Sequence, residues 1–377
     1  MPKPRLFAPG PTPIPPRVQA AMAGPIVYHR GPDFPDLLQG VVRGLKATFP
    51  TPHDCFVLSS SGSGAMEAAL VNICSPDDPV VVVQAGQFGA KWTALCKAYG
   101  LPTDIIDLPW GNAFDPKAVA DRVRPETRAV FVTQSETSTG VLHDVEALGK
   151  ELTNTDVLLV VDGVSSVVAH PLPTAEWGVD MAVTASQKGL MVPPGIGIIT
   201  VSPKAWEAVE RARLPRFYFD LNTYKDAFQE GRGPATLPVT LLRGLKIALD
   251  MIAEEGLEAV WNRHARHAEA VRQATIALGL SVFAESPSNV LTAISLPEAV
   301  DGLALMDRLR SHHGITVGGG LAHLRGRLIR ISNLGYVDDT DILTVLSALE
   351  QSLRALKWTF QPGAGVGAAE GVLGAEI

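Results

Sequence analysis

Four stretches of this 377-residue chain set a charged or anion-binding group directly after an apolar run. In "VTASQKGLMVPPG", residues 183–195, that group is Lys188. A half-buried lysine has its pKa lowered from about 10.4, because desolvation disfavours the ammonium. The neutral amine can then attack a carbonyl and form a Schiff base; the plainer alternative is a side chain that snorkels to solvent. In "VLLVVDGVSS" an apolar run ends at Asp162, which fits either a turn aspartate or a carboxylate that keeps a cationic ring nitrogen protonated. The segment "SSSGSGAMEAAL", residues 59–70, reads as strand end, Ser/Gly turn and helix start. Backbone N–H groups and the helix dipole make such a turn a cradle for phosphate, although a simple helix cap has the same composition. Neither G-x-G-x-x-G, which fails at Glu67, nor G-K-[ST] is present there. In "RLIRISNLG", Arg330 suits a bidentate carboxylate clamp, or an ion pair with Asp338 or Asp339.

These groups need a scaffold that brings strand ends together. The runs "CFVLSS", "PVVVVQA", "TDIIDLP", "AVFVTQ", "VLLVVDG", "MAVTAS" and "GIGIITVS" read as strands, and many are apolar throughout. Strands of that kind are buried on both faces by helices, which predicts an α/β fold with a mostly parallel sheet. Ligands of such sheets lie at the carboxyl ends of the strands. Asp162 and Lys188 close two successive runs, so they are expected to face one crevice. Residues 1–255 form an N-terminal arm and a large α/β domain in this reading. Residues 256–360 form a smaller C-terminal α+β domain, with strands near "NVLTAISLP", "ITVGG" and "RLIRISN". The last stretch, 361–377, is small and weakly patterned, and is expected to be a mobile tail.

Composition narrows the partners. A formal net charge of −7 argues against a broad nucleic-acid footprint. The three cysteines, Cys55, Cys74 and Cys96, form neither a pair nor a ligand cluster, so no metal site is expected and a reducing cytoplasm fits. The proline-rich start lacks the apolar core of a signal peptide, and no run approaches the roughly 18 apolar residues of a membrane span.

A phosphate cradle, a strand-end aspartate, a later strand-end lysine and an arginine in the C-terminal unit occur together in one known arrangement. Through "APGPTPIPP", "SGSGAMEAALVN", "ETSTGVL", "VDGVSS", "EWGVDMAVTASQKGLMVPPG", "RFYFDL" and "RLIRISNLGYVDD", the chain resembles the class V aminotransferases of fold type I. The branch it is most similar to is the alanine/serine–glyoxylate aminotransferases, and the likeness covers nearly the whole chain. The resemblance implies pyridoxal 5′-phosphate (PLP) as cofactor, with Lys188 as the Schiff-base lysine and proton shuttle. Asp162 would bind the pyridinium nitrogen. Ser63, Gly64 and Ala65 would lie under the phosphate, with Gln187 beside it. Thr137 would approach the ring's 3′-oxygen, and Phe88 would stack on the ring unless it is a core residue. Arg330 would hold the substrate carboxylate, and Gly10 would pass near the substrate. Thr236 would reach the neighbouring subunit's phosphate, implying a homodimer. Some relatives carry a tyrosine at the position of Gly233 and a histidine at that of Ala65, so phosphate is held more loosely here or by another group such as Arg232.

The implied reaction is ping-pong transfer of an amino group from alanine or serine to glyoxylate or another small 2-oxo acid. One arginine without a second clamp favours such small donors. Ureidoglycine–glyoxylate, aspartate–glyoxylate and pyridoxamine–pyruvate aminotransferases are similar in the same motifs. A cysteine desulfurase would need a cysteine in the C-terminal half, and all three precede residue 97. Relatives labelled as a small subunit of a soluble hydrogenase raise a further reading, for which the chain lacks a cysteine cluster. A non-catalytic binding or assembly protein of the same fold is the alternative of another class.

Overall fold

The computed structural model describes residues 2–375. Its strands, in chain order, are β1 (Arg5–Phe7), β2 (Asp54–Leu58), β3 (Val80–Gln84), β4 (Thr103–Asp107), β5 (Ala129–Thr133), β6 (Ser135–Glu136), β7 (Val141–Leu142), β8 (Leu158–Asp162), β9 (Met181–Ala185), β10 (Gly197–Val201), β11 (Ser281–Val282), β12 (Leu291–Ser295), β13 (Ile315–Gly319) and β14 (Leu328–Ser332). Seven of them form the large sheet, in the order β2-β10-β9-β8-β5-β3-β4. The pairs from β9 to β4 are parallel, and only β10 runs against its neighbours. These seven are the strands that the apolar runs predict.

Side-chain alternation divides each strand between two helical layers. Val81, Val83, Val130 and Leu159 pack with Leu38 and Leu45 of the helix Phe34–Thr48 and Leu242 and Leu245 of the helix Val239–Glu255. Val80, Val82, Phe131 and Val160 pack instead with the helix Gly62–Ile73 and Trp92 of the helix Gln87–Ala98. Both faces being covered is why the strands carry no polar alternation.

The smaller sheet has the order β1-β13-β14-β12-β11. Two expectations change here. Residues 5–7 of the N-terminal arm pair in parallel with Ile315–Val317, so the arm contributes a strand to the smaller sheet rather than belonging wholly to the large domain. Most of the expected tail is ordered: Ala364–Leu373 is a helix whose Ala369 is buried in the core of the smaller domain. The Glu350 carboxylate secures its start by accepting the N–H groups of Gly363, Gly365 and Val366 at 2.8, 2.8 and 3.0 Å. Residues 376 and 377 of that expected tail lie outside the described residues.

Candidate active site

Asp162 is the last residue of β8, and Lys188 follows the end of the neighbouring parallel strand β9 by three positions. Both line one cavity of about 280 Å³, together with Gly10, Ser63, Phe88 and Gln187. The strand-end pairing thus brings the expected amine and carboxylate into one crevice. A larger groove, about 340 Å³, opens beside Lys46, Asp54 and Phe228 at the beginning of β2, away from these groups.

Lys188 is 9% exposed, and its Nζ donates to the carbonyl oxygen of Pro9 at 2.6 Å. Burial lowers its pKa to about 8; Asp162 opposes the shift and Arg330 adds to it. Snorkelling is therefore excluded by geometry. The turn that holds the lysine is tied at its backbone: Thr12 Oγ1 donates to the Lys188 carbonyl at 2.8 Å, and the Thr12 N–H to that of Gln187 at 3.1 Å. Gly10 has φ +137°, and a Cβ there would stand 2.6 Å from Lys188 Nζ. Only glycine lets the arm cross so close to the amine.

Asp162 is buried, and its Oδ1 accepts the Val164 N–H at 2.8 Å. Burial pushes its pKa up to about 6, with that hydrogen bond pulling the other way. A cation placed against this carboxylate would restore its charge, which is the chemistry required of a pyridinium partner.

The helix Gly62–Ile73 starts at the cavity, capped by Ser61, whose Oγ accepts the Gly64 N–H over a long 3.4 Å. The first N–H groups of a helix have no intrahelical acceptor, so those of Gly62 and Ser63 are available to an anion. The Ala65 N–H donates to the Ser61 carbonyl at 3.1 Å, and its side chain is buried. Gln187 has an amide oxygen that is buried without a hydrogen-bond partner.

Phe88 is half-buried at the cavity rather than in the core. It is held through its backbone: the buried Glu136 carboxylate accepts the N–H groups of Phe88 and Gly89 at 3.0 and 2.9 Å. Burial raises the Glu136 pKa, against these donors and Ser138. Thr137 is buried, with its hydroxyl 2.5 Å from that of Ser165. Arg330, on β14, donates from Nε to Gly319 O at 2.9 Å and from Nη1 to Thr137 O at 2.7 Å. Burial lowers its pKa to about 10. The alternative ion pair with Asp338 or Asp339 is absent: Asp339 binds Arg266 and His267, and Asp338 caps a helix. Thr236 is exposed, near His29, and does not line this cavity.

Sequence reading missed Lys91, which also lines the cavity and donates to Ser63 Oγ at 2.8 Å. The available signal was its place three residues after Phe88, on the same side of one helix. It also missed Pro9, which acts through its backbone carbonyl and leaves no trace in side-chain type.

A large, mostly parallel sheet with a smaller α+β domain, and a lysine and aspartate at adjacent strand ends, define a fold type I PLP-dependent transferase. The chain belongs to the class V aminotransferases: that family model matches residues 6–341. It is 42% identical to a protein of Synechococcus sp. named soluble hydrogenase, small subunit, over 98% of each chain. It is 38% identical to the L-aspartate–glyoxylate aminotransferase of Paracoccus denitrificans, covering 97% of this chain and 95% of that one. The ureidoglycine–glyoxylate aminotransferase of Bacillus subtilis superposes with a TM-score of 0.95 at 28% identity, over 100% of this chain and 99% of that one. The hydrogenase name finds no ligand set here: the three cysteines are buried and unpaired. No group of three or more His, Cys, Asp or Glu among the described residues could hold a metal. Among the described residues no helix is long and apolar enough to cross a membrane. The protein is a PLP-dependent aminotransferase, and the free amides of Gly62 and Ser63 and the buried Asp162 fit that cofactor.

Proposed function

We propose that this aminotransferase takes the amino group of a small amino acid, alanine or serine, and delivers it to glyoxylate or another small 2-oxo acid. The observation that carries the reading is the convergence of the Lys188 amine and the Asp162 carboxylate on one cavity. When bound, PLP supplies an aldehyde that reacts with amines and a ring that accepts electrons. Lys188 is the amine that bonds it, and once freed it holds and moves a proton at Nζ, with a pKa near the working pH. Asp162 keeps positive charge at the ring nitrogen. Gly62 and Ser63, with the Gln187 amide N–H, would bind the phosphate, and Phe88 would cover the ring.

Arg330 orients donor and acceptor alike by their carboxylates, one at a time, so that the first product leaves before the second substrate enters. Its guanidinium is held in place by two backbone carbonyls, which suits a fixed fork. A cavity of about 280 Å³ lies at the small end of ligand sites, in keeping with a compact substrate beside the cofactor. Aspartate is the second reading, favoured by the Lys91 ammonium in the same cavity. The homodimer reading rests on Thr236, exposed on its own subunit, and on Phe217, which is 93% exposed. A cytoplasmic location is proposed on the cysteine usage.

The test mixes the PLP-loaded protein with single amino acids and follows bleaching of the visible absorption. Alanine or serine should bleach it, and glyoxylate should restore it. Lys188→Ala should slow the exchange by roughly 10²–10⁴-fold, the usual worth of a positioned proton-transfer group. A protein that no small α-amino acid bleaches would overturn the reading.

A further inference from the structure

We propose that Lys91 is the charged side chain that binds the cofactor's phosphate in this protein, acting with the free amides of Gly62 and Ser63. The inference rests on PLP being the cofactor and concerns which groups of this chain hold it. Lys91 reaches the start of the helix Gly62–Ile73 from the helix Gln87–Ala98, and its Nζ is fixed 2.8 Å from Ser63 Oγ. Because the Ser63 oxygen accepts from the ammonium, its own O–H is left to donate to a ligand oxygen. A helix N-terminus, a hydroxyl and an ammonium together present only positive or donor groups, a set that suits a phosphate dianion.

Lys91 makes no salt bridge among the described residues. Among the described residues no carboxylate lies within ion-pair distance of it, whereas Arg232, the other basic candidate, is paired with Glu230 at 2.6 Å. Arg232 does not line the cavity. The other cation lining the cavity, Lys188, donates to Pro9. Arg330, which does not line it, donates to Gly319 and Thr137. Gly233 and Ala65 offer no side-chain donor where some relatives carry tyrosine and histidine. Lys91 supplies the missing charge from within the subunit.

The experiment titrates apo protein with PLP and with pyridoxal, which lacks the phosphate, and follows binding by absorption and tryptophan fluorescence. Lys91→Met should weaken PLP binding by about tenfold or more, the scale of lost charge-assisted hydrogen bonds, while pyridoxal changes by less than about twofold. Lys91→Arg should keep most of the preference for PLP, and inorganic phosphate should compete with PLP more weakly in Lys91→Met than in wild type. Equal weakening of PLP and pyridoxal, or unchanged PLP affinity, overturns the assignment. Unchanged PLP affinity with a loss confined to aspartate as donor would instead make Lys91 a substrate-carboxylate group. A wild-type protein that binds neither ligand overturns the cofactor reading itself.

Discussion

Lys188 Nζ and the Pro9 carbonyl oxygen are 2.6 Å apart, although 179 positions separate the residues in the chain. The contact joins the buried Lys188 amine to the arm whose strand β1 belongs to the smaller sheet. The smaller sheet therefore reaches the cavity through this arm, while Arg330 on β14 binds the Thr137 carbonyl.

Gly10→Ala tests that closeness. A methyl group at φ +137° and 2.6 Å from Nζ must displace either the arm or the lysine. The backbone strain alone is about 1–3 kcal/mol. The variant should melt at a lower temperature and exchange amino groups more slowly, with the rate loss larger than the stability loss implies. Wild-type kinetics would show that the arm moves aside freely.

The Lys188 amine should titrate near pH 8 in the cofactor-free protein. The rate of its modification by an amine-directed acylating reagent, followed against pH, should rise with that midpoint. Asp162→Asn should lower the midpoint, because the carboxylate favours the ammonium. Between about 8 and the ordinary value of 10.5 the unfolded chain keeps a proton that the folded one has released. Folding stability from this group therefore rises with pH across that window. A midpoint near 10.5 would contradict the burial of the amine.

Arg330→Gln should raise KM for amino donor and 2-oxo acceptor together, since both offer an α-carboxylate to the same guanidinium. Hydrogen bonds to charged groups contribute about 1.5–3 kcal/mol, so kcat/KM should fall roughly 10- to 150-fold in each half-reaction. PLP affinity should stay near wild type. Steady-state kinetics with both substrates varied separates this from a general loss of structure, which would move all three.

Truncation after Gln361 tests the C-terminal helix. It removes three N–H donors from Glu350 and the Leu373 carbonyl from Arg266, and it uncovers apolar surface beside Leu278. The loss should be about 2–4 kcal/mol, read by urea unfolding as a lower midpoint. An unchanged midpoint would mean that the helix merely rests on the domain.

The large sheet was legible in the sequence, because its strands are apolar on both faces and announce themselves locally. The placing of Lys188 and Asp162 at one crevice was legible too, since a strand end is recognisable from the run that precedes it and parallel neighbours share one end. Tertiary structure decided the rest. The helix Ala364–Leu373 is rich in glycine and alanine, and its order comes from packing and from Glu350 rather than from its own pattern. Strand β1 is three residues long and exists only through its pairing with β13. Pro9 and Thr137 act through carbonyls that every residue possesses, so residue type says nothing of them. Lys91 reads as one more helix lysine until folding sets its ammonium on Ser63. Local pattern reports burial and backbone conformation, whereas distances between remote groups arise only when the layers pack.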